Sequence, residues 1–162
     1  MTRTKISLVC AVIACVSVAT ALAVAQDQRS GTVGRAIVQA YIAGMESGDL
    51  DALTDLFLPD DRSSILENAS DEGSWEHYRD HHLKPEMEAA KNFKFTVIKE
   101  SEERFGEAIL VRQTGSFTIE VEGQLRAYRA AVSYLIVTED DRPRIAHLHW
   151  SSRPKQRATA QP

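Results

Sequence analysis

The chain has 162 residues, with 19 lysines and arginines against 23 aspartates and glutamates, and a formal net charge of −4 at pH 7. This acidic balance argues against a nucleic-acid-binding protein, because such proteins carry clustered positive charge. The length suits one domain with a single core, and a core of this size needs no disulfide or metal for stability.

The first 25 residues predict a secretory signal peptide. Arg3 and Lys5 precede an apolar run of nineteen residues, and the motif Ala23-Val24-Ala25 ends it before the polar Gln26. Cleavage there would release a secreted or periplasmic protein with 17 basic and 23 acidic side chains, a net charge of −6. We expect no membrane association after cleavage.

Both cysteines, Cys10 and Cys15, lie inside this segment. The exported domain would therefore have no disulfide, cysteine nucleophile or thiolate metal site. Two alternatives stay open for the segment. It could be a retained membrane anchor, since its apolar run nearly spans a bilayer, or Cys15 could carry a lipid. The apolar run continues past Cys15, which argues against a lipoprotein.

After a linker at 26–31, the domain predicted at 32–153 opens with two helices. From Val33 to Met45 the apolar residues recur every three or four positions, and Gly48 ends this amphipathic helix. Asp49 is placed to cap a second helix, which ends by Pro59. Three further elements follow: a short strand at 62–67, a polar loop at 68–73, and a third helix at 75–83 that Pro85 breaks or restarts.

The second half alternates with period two and predicts a sheet. Phe93, Phe95 and Val97 alternate with polar residues, and 108–120, 124–138 and 144–151 have the composition of long strands. The breaks between them are short and polar, which favours antiparallel hairpins. Helices followed by antiparallel strands predict an α+β domain. The polar tail at 154–162 lacks periodicity and is predicted to be disordered.

All five histidines fall in two short clusters, His77, His81 and His82 in the third helix and His147 and His149 in the last strand. His77 and His81 share a helix face, and His147 and His149 share a strand face. If the helix crosses the strand, these four imidazoles could converge on zinc, copper or nickel. A pocket lined by neutral imidazoles would need no metal.

Acid–base catalysis is a second possible chemistry, because it needs a titratable group within reach of a bound substrate. The candidate partners are Tyr41, Glu67, Tyr78 and Asp80. Each also has a plain structural interpretation, since Tyr41 lies on an apolar helix face and the two carboxylates could be solvated.

Three arginines and several small residues fall within the predicted strands. An inward Arg112, Arg126 or Arg129 could bind a carboxylate, whereas an arginine on the open face of the sheet is the ordinary arrangement. Gly115 and the pair Ala130-Ala131 reduce side-chain bulk, which is consistent with a concave surface. Likewise, Trp75 and Trp150 could line a cavity or fill the core.

The order of elements and two local motifs resemble the nuclear transport factor 2-like superfamily, also called SnoaL-like or ketosteroid isomerase-like. The motifs are AYIAGMESGDLDALTDLFLPDD at 40–61 and RIAHLHWSSR at 144–153. The H-x-H-x-S pattern of the second motif, and the spacing of Gly73 and His77, are also similar to the hub domain of the calmodulin-dependent kinase. The resemblance implies a cone-shaped, curved antiparallel sheet wrapped around N-terminal helices, with a ligand cavity and frequent homodimerisation.

The resemblance also implies a role for Tyr41, which matches the tyrosine that binds the substrate oxygen in ketosteroid isomerases. Their general base is an aspartate on the strand after the second helix, where this chain has Ile65 and Leu66, with Glu67 just beyond. Their second acid has no counterpart at 108–119. Steroid isomerisation is therefore not supported.

Our leading hypothesis is a protein that binds or transforms a small organic molecule, without a cofactor, and the sequence does not decide whether it is an enzyme. The alternatives are a transition-metal-binding protein that uses His77, His81, His147 and His149, and a non-catalytic assembly module. The predicted lining of the ligand cavity consists of Tyr41, Trp75, His77, His81, His82, His147 and His149.

Overall fold

The computed structural model describes residues 33–155. The predicted signal peptide, the linker and most of the predicted tail lie outside this range. The first helix of the domain, α1, covers 33–47. A 3-10 turn at Asp60–Arg62 precedes the first strand. The other elements are α2 Leu50–Thr54, β1 Ser64–Glu67, β2 Ser70–Gly73, α3 Trp75–Tyr78, a π-helical turn Arg79–Leu83, α4 Lys84–Ala89, β3 Ala90–Phe105, β4 Ala108–Val121, β5 Gln124–Glu139 and β6 Arg142–Pro154.

The six strands form one sheet in the order β2-β1-β6-β5-β4-β3. Every neighbouring pair is antiparallel except β1 and β6, which are parallel. The long strands β3 to β6 follow one another through tight turns, as their short polar breaks predicted. Bulges in β3 and β6 bend the sheet. The predicted α+β class, with a curved sheet around the N-terminal helices, is confirmed.

The segment at 68–73 differs from its prediction, because its last four residues form a strand. Asn68 and Ala69 form a tight turn with φ of 46° and 78°, and β2 then pairs with β1 in an antiparallel hairpin. Its sequence, Ser-Asp-Glu-Gly, has no apolar alternation, since β2 lies at the sheet edge with both faces largely exposed. Periodicity therefore gave no sign of it.

The third helix is less regular than predicted. Ser74 caps it by accepting a hydrogen bond from the His77 backbone N–H, and α3 then widens into the π-helical turn. There the Lys84 backbone N–H bonds to the carbonyl of Arg79, five residues earlier. Pro85 lies in the first turn of α4, which follows the π-helical turn directly, so the chain stays helical through the proline.

The limits of the first and last strands also depart slightly from their predictions. The strand predicted at 62–67 begins at Ser64, after the 3-10 turn. At the other end β6 reaches Pro154, and the Lys155 backbone N–H donates to the carbonyl of Ala127 at 2.9 Å. Within 33–155, no helix is long and apolar enough to cross a membrane.

The core lies between the helices and the inner face of the sheet. Trp75 is fully buried in it, stacked on Phe57 with ring centroids 4.3 Å apart, and its Nε1–H donates to Oγ1 of Thr54 at 3.1 Å. The inner face of the sheet contributes Ile109, Val111, Phe117, Val132, Tyr134, Ile136, Ile145, Leu148 and Trp150.

Candidate functional site

A cavity of about 860 Å³ lies beside the core, between α1, α4 and one end of the inner sheet face. This volume is in the range of small-molecule binding sites. Carboxylates and lysines lie around it, together with the phenols of Tyr41 and Tyr78. Its apolar walls include Leu83, Met87, Phe93, Phe117, Ile119 and Trp150.

Glu67 is the buried carboxylate of this cavity, with 8% of its surface exposed. It ends β1 and pairs with Trp150 of β6, which turns its side chain to the inner face. Tyr78 donates a hydrogen bond to its Oε2 at 2.6 Å. The Nδ2 atom of Asn68 lies 3.5 Å from Oε1, and Nε2 of His82 lies 3.6 Å from Oε2. Among residues 33–155, the phenol of Tyr78 is therefore its one donor at short hydrogen-bond distance.

The surroundings raise the pKa of Glu67 above the ordinary value of a glutamate. Burial is the main cause, because it disfavours the charged form. The hydrogen bond from Tyr78 acts in the opposite direction, as does the imidazole of His82, while Glu86 and Glu72 raise the pKa further. A carboxylate of this kind can accept and return a proton closer to neutral pH than a solvated one.

Tyr41 places a second phenol in the cavity. Its ring is held edge-on by Phe57 and Tyr134, at centroid distances of 6.0 and 5.7 Å. Burial, followed by the nearby charge of Glu67, raises the pKa of Tyr41 well above its usual value, and burial does the same for the pKa of Tyr78. Both phenols therefore stay protonated. The phenol of Tyr78 donates to Glu67, which leaves that of Tyr41 to donate a hydrogen bond to a ligand.

His82 lies behind Glu67 among three carboxylates, and not on the cavity wall as predicted. Its Nε2 is 3.6 Å from Glu67 and 3.3 Å from Glu86, and its Nδ1 is 3.2 Å from Glu72. Among the described residues, Glu67, His82 and Glu86 are the one group with ligand atoms close enough together to surround a cation. In its charged form the His82 ring places its Nε2–H between Glu67 and Glu86 and its Nδ1–H beside Glu72, so the ring itself provides positive charge for these carboxylates. We therefore attribute this group to ion pairing.

Of the other residues predicted to line the cavity, Tyr41 does so and Trp75 belongs to the core. The remaining helical histidines, His77 and His81, are exposed. Their rings stack 4.4 Å apart, as expected for positions four residues apart, and Nδ1 of His77 lies 3.1 Å from the carbonyl of Glu72. Neither one lines the cavity.

The two strand histidines lie on the opposite side of the sheet. His147 and His149 flank the buried Leu148, so alternation turns both rings to the outer face. Nδ1 of His147 is 2.8 Å from Oγ of Ser64, and burial, followed by the nearby His149, lowers the pKa of His147. The predicted convergence of four imidazoles is not found within residues 33–155. The helix that carries His77 and His81 packs on the inner side of the sheet through Trp75, whereas His147 and His149 lie on the outer face.

Of the carboxylates proposed for acid–base chemistry, Glu67 lies at the cavity and Asp80 does not. Asp80 is exposed and forms an ion pair with Arg79, which lowers its pKa. The sequence contained a signal for Glu67, since in Ser-Ile-Leu-Glu it falls on the same strand face as Ile65, which is fully buried. The strand is too short for that alternation to stand out.

A helix-lined cavity on the inner face of a curved sheet defines this chain as an α+β domain with an internal pocket. The sequence at 35–154 matches the profile of the SnoaL-like domain, and the chain belongs to this family. No curated protein matches its sequence closely enough to be a recognisable relative.

Solved structures share the fold at low sequence identity. A nuclear transport factor 2-like superfamily protein from Salmonella enterica is 16% identical over 82% of this chain and 99% of its own, with a TM-score of 0.69. A ketosteroid isomerase-like protein from Erwinia carotovora is 12% identical over 75% and 95%, with a TM-score of 0.63. A candidate calcium/calmodulin-dependent protein kinase type II association domain from Thiobacillus denitrificans is 22% identical over 75% and 94%, with a TM-score of 0.62. At these identities the likeness shows the fold alone.

Proposed function

We propose that the cavity binds a small, largely apolar organic molecule with a carbonyl or hydroxyl group, and that Glu67 transfers a proton to or from it. The observation that carries this proposal is a buried carboxylate with a raised pKa on the wall of an 860 Å³ cavity. Apolar walls favour an apolar body, and the phenol of Tyr41 is suited to donate to its oxygen, while the phenol of Tyr78 donates to Glu67.

The chemistry follows from these three groups. The Glu67 carboxylate takes a proton from a carbon or hydroxyl of the ligand, and negative charge develops on the ligand oxygen. The phenol of Tyr41, which has no hydrogen-bond partner among the described residues, stabilises that charge by donation. Glu67 then returns the proton at a second position, as an isomerisation or a loss of water requires. The ketosteroid isomerase-like neighbour is consistent with such a class of reaction.

Exchange of ligand protons with solvent tests the proposal with simple ketones as probes. A set of cyclic ketones is incubated with the protein in D₂O, and loss of their α-proton signals is followed by NMR. We expect Glu67→Gln to slow exchange by about 100-fold or more, because general-base catalysis contributes at least that much. Asp80→Asn is the matched control and should leave the rate unchanged. Exchange at the parental rate in Glu67→Gln would exclude Glu67 as the base.

We also propose that the domain is exported to the periplasm or the medium and forms a homodimer. The signal-peptide pattern of the first 25 residues supports export. N-terminal sequencing of protein from the host envelope or medium should begin at Gln26. Light scattering of that material should give twice the protomer mass, and a monomer would contradict the second statement.

The metal-binding alternative keeps its own test, although the separation of the two histidine clusters by the sheet does not favour it. The exported protein is loaded with zinc, copper or nickel, and its metal content is compared with that of a His77→Ala/His147→Ala variant. About one equivalent in the parent and none in the variant would support a histidine site. Equal contents would exclude these histidines as ligands.

A further inference from the structure

The carboxylate of Glu67 is poorly placed to exchange a proton with water while a ligand is bound. Its side chain is only 11% exposed, and it lies on the cavity wall. A ligand that fills the cavity would cover the carboxylate there and displace water from it. If Glu67 acts as a base, its proton therefore needs a second path to solvent.

His82 is the imidazole that approaches Glu67 from outside the cavity. Its Nε2 lies 3.6 Å from Oε2 of Glu67, and it is not among the residues that line the cavity. The π-helical turn Arg79–Leu83 carries it, between the buried Tyr78 and Leu83. The rings of His82 and Tyr78 lie 5.2 Å apart between centroids, so the packing keeps the imidazole beside the carboxylate. Distances between proton-transfer partners often shorten only when a substrate binds.

Two further carboxylates surround the His82 ring. Nδ1 lies 3.2 Å from Oε2 of Glu72, and Nε2 lies 3.3 Å from Oε1 of Glu86. With its proton on Nδ1, the neutral ring donates to Glu72 and presents the Nε2 lone pair to both Glu67 and Glu86. A carboxylate that fixes the tautomer of a histidine in this way prepares its other nitrogen to accept a proton.

Exposure increases along this row of groups. The side chains of Glu67, His82 and Glu86 are 11%, 28% and 61% exposed. Each group therefore brings a proton closer to water than the one before it. An imidazole is suited to the middle position, because it gains and loses a proton near neutral pH.

We propose that His82 relays protons between Glu67 and solvent while a ligand occupies the cavity, an inference that rests on the proposed role of Glu67 as a base. Protonated Glu67 gives its proton to Nε2 of neutral His82, which leaves a carboxylate and an imidazolium. The imidazolium then gives the proton on Nε2 to the Glu86 carboxylate or to water. This step restores the neutral ring with its Nδ1–H still beside Glu72. His82 acts through Glu67 and does not contact the ligand.

The test follows the exchange of cyclic-ketone α-protons in D₂O by NMR, because loss of their signal needs both proton abstraction and exchange with water. His82→Ala should slow this exchange by about tenfold or more. Imidazole added to the buffer should restore the rate in proportion to its concentration, after protein-free exchange is subtracted, and sodium chloride at equal ionic strength should not. Ketone affinity should stay parental, because His82 does not line the cavity.

Two further variants complete the test. His81→Ala is the matched control, since His81 is exposed and does not line the cavity. It should keep the parental rate and show no dependence on imidazole. His82→Gln should slow exchange as His82→Ala does, because an amide forms hydrogen bonds but does not take up a proton near neutral pH. It also fills the space that alanine leaves, so a folding defect in His82→Ala would not decide the result.

Three results would overturn the relay. Parental exchange in both His82 variants would show that Glu67 reaches solvent without the imidazole, and would leave Glu67 as the base. Slow exchange in folded His82→Ala that imidazole does not restore would mean that His82 only supports the position of the carboxylate. No exchange in the parent, or parental exchange in Glu67→Gln, would remove the base itself and the relay with it.

Discussion

Replacing Tyr78 by phenylalanine tests the hydrogen bond that Tyr78 donates to the cavity carboxylate of Glu67. The phenol donates to Oε2 of Glu67 at 2.6 Å, and the ring also packs against Trp75 and His82. Phenylalanine keeps these ring contacts and removes the oxygen alone. Asn68 and His82 do not replace it, since their nitrogens lie 3.5 and 3.6 Å from the carboxylate.

The unfolding free energy lost in Tyr78→Phe depends on the charge of Glu67. Above its raised pKa the carboxylate is ionised, and loss of a charge-assisted hydrogen bond should cost about 1.5–3 kcal/mol of unfolding free energy. At about pH 4 the group is protonated in the folded state, and the loss should be about 0.5–1.5 kcal/mol. The destabilisation by Tyr78→Phe should therefore grow as the pH rises.

The direction of this pH dependence agrees with proton linkage. Because burial raises the pKa of Glu67 in the folded state, that state binds more protons than the unfolded one between the two pKa values. The contribution of Glu67 to stability is therefore complete below its unfolded pKa and is lost as the pH rises through its folded pKa. Tyr78 lowers that folded pKa. Its removal should extend the decline of stability to higher pH.

Urea unfolding followed by tryptophan fluorescence measures this effect, since Trp75 and Trp150 are both buried. The assay is run at about pH 4 and about pH 8 on the parent, Tyr78→Phe, Glu67→Gln and the double variant. We expect a coupling energy between positions 67 and 78 at pH 8 that is larger than at pH 4. Equal losses at both pH values, with no coupling at either, would refute the assigned hydrogen bond.

Three further predictions concern the scaffold and the ion pairs. Gly115→Ala should lower the unfolding free energy by about 1–3 kcal/mol in chemical denaturation, because the added Cβ would lie 2.5 Å from the backbone oxygen of Thr96; an unchanged midpoint would contradict this packing. Asp49→Ala should cost about 1 kcal/mol in the same assay by removing the cap that accepts from Ala52 at 3.0 Å, and Asp49→Asn should restore most of it. His82→Gln should lower the melting temperature at about pH 6 more in low salt than in high salt, because the imidazole lies among three carboxylates; a salt-independent change would argue against ion pairing.

Local signals determined most of the element order. The three-to-four spacing in α1, the Asp49 cap and the alternation in the second half each act over a few residues, and each is read from neighbours in sequence. The same signals failed where local preference was weak. The edge strand β2 is stabilised by pairing with β1, and no apolar pattern marks it. The π-helical turn before Pro85 had no sequence signal beyond the proline itself.

The candidate site could be predicted only in part, because it is formed by contacts between elements that local sequence patterns do not encode. Tyr41 and Glu67 were both recognised as candidates for acid–base chemistry, but only the folding of α1 against β1 places them around one cavity. The histidines show the converse case. Spacing correctly grouped His77 with His81 and His147 with His149, yet it does not specify which side of the sheet a strand pair faces. That side is decided by the burial of Leu148 between them, which the whole core sets. Sequence by itself determined the fold class and the faces of single elements, while tertiary packing decided which faces meet, because burial is a property of the assembled layers.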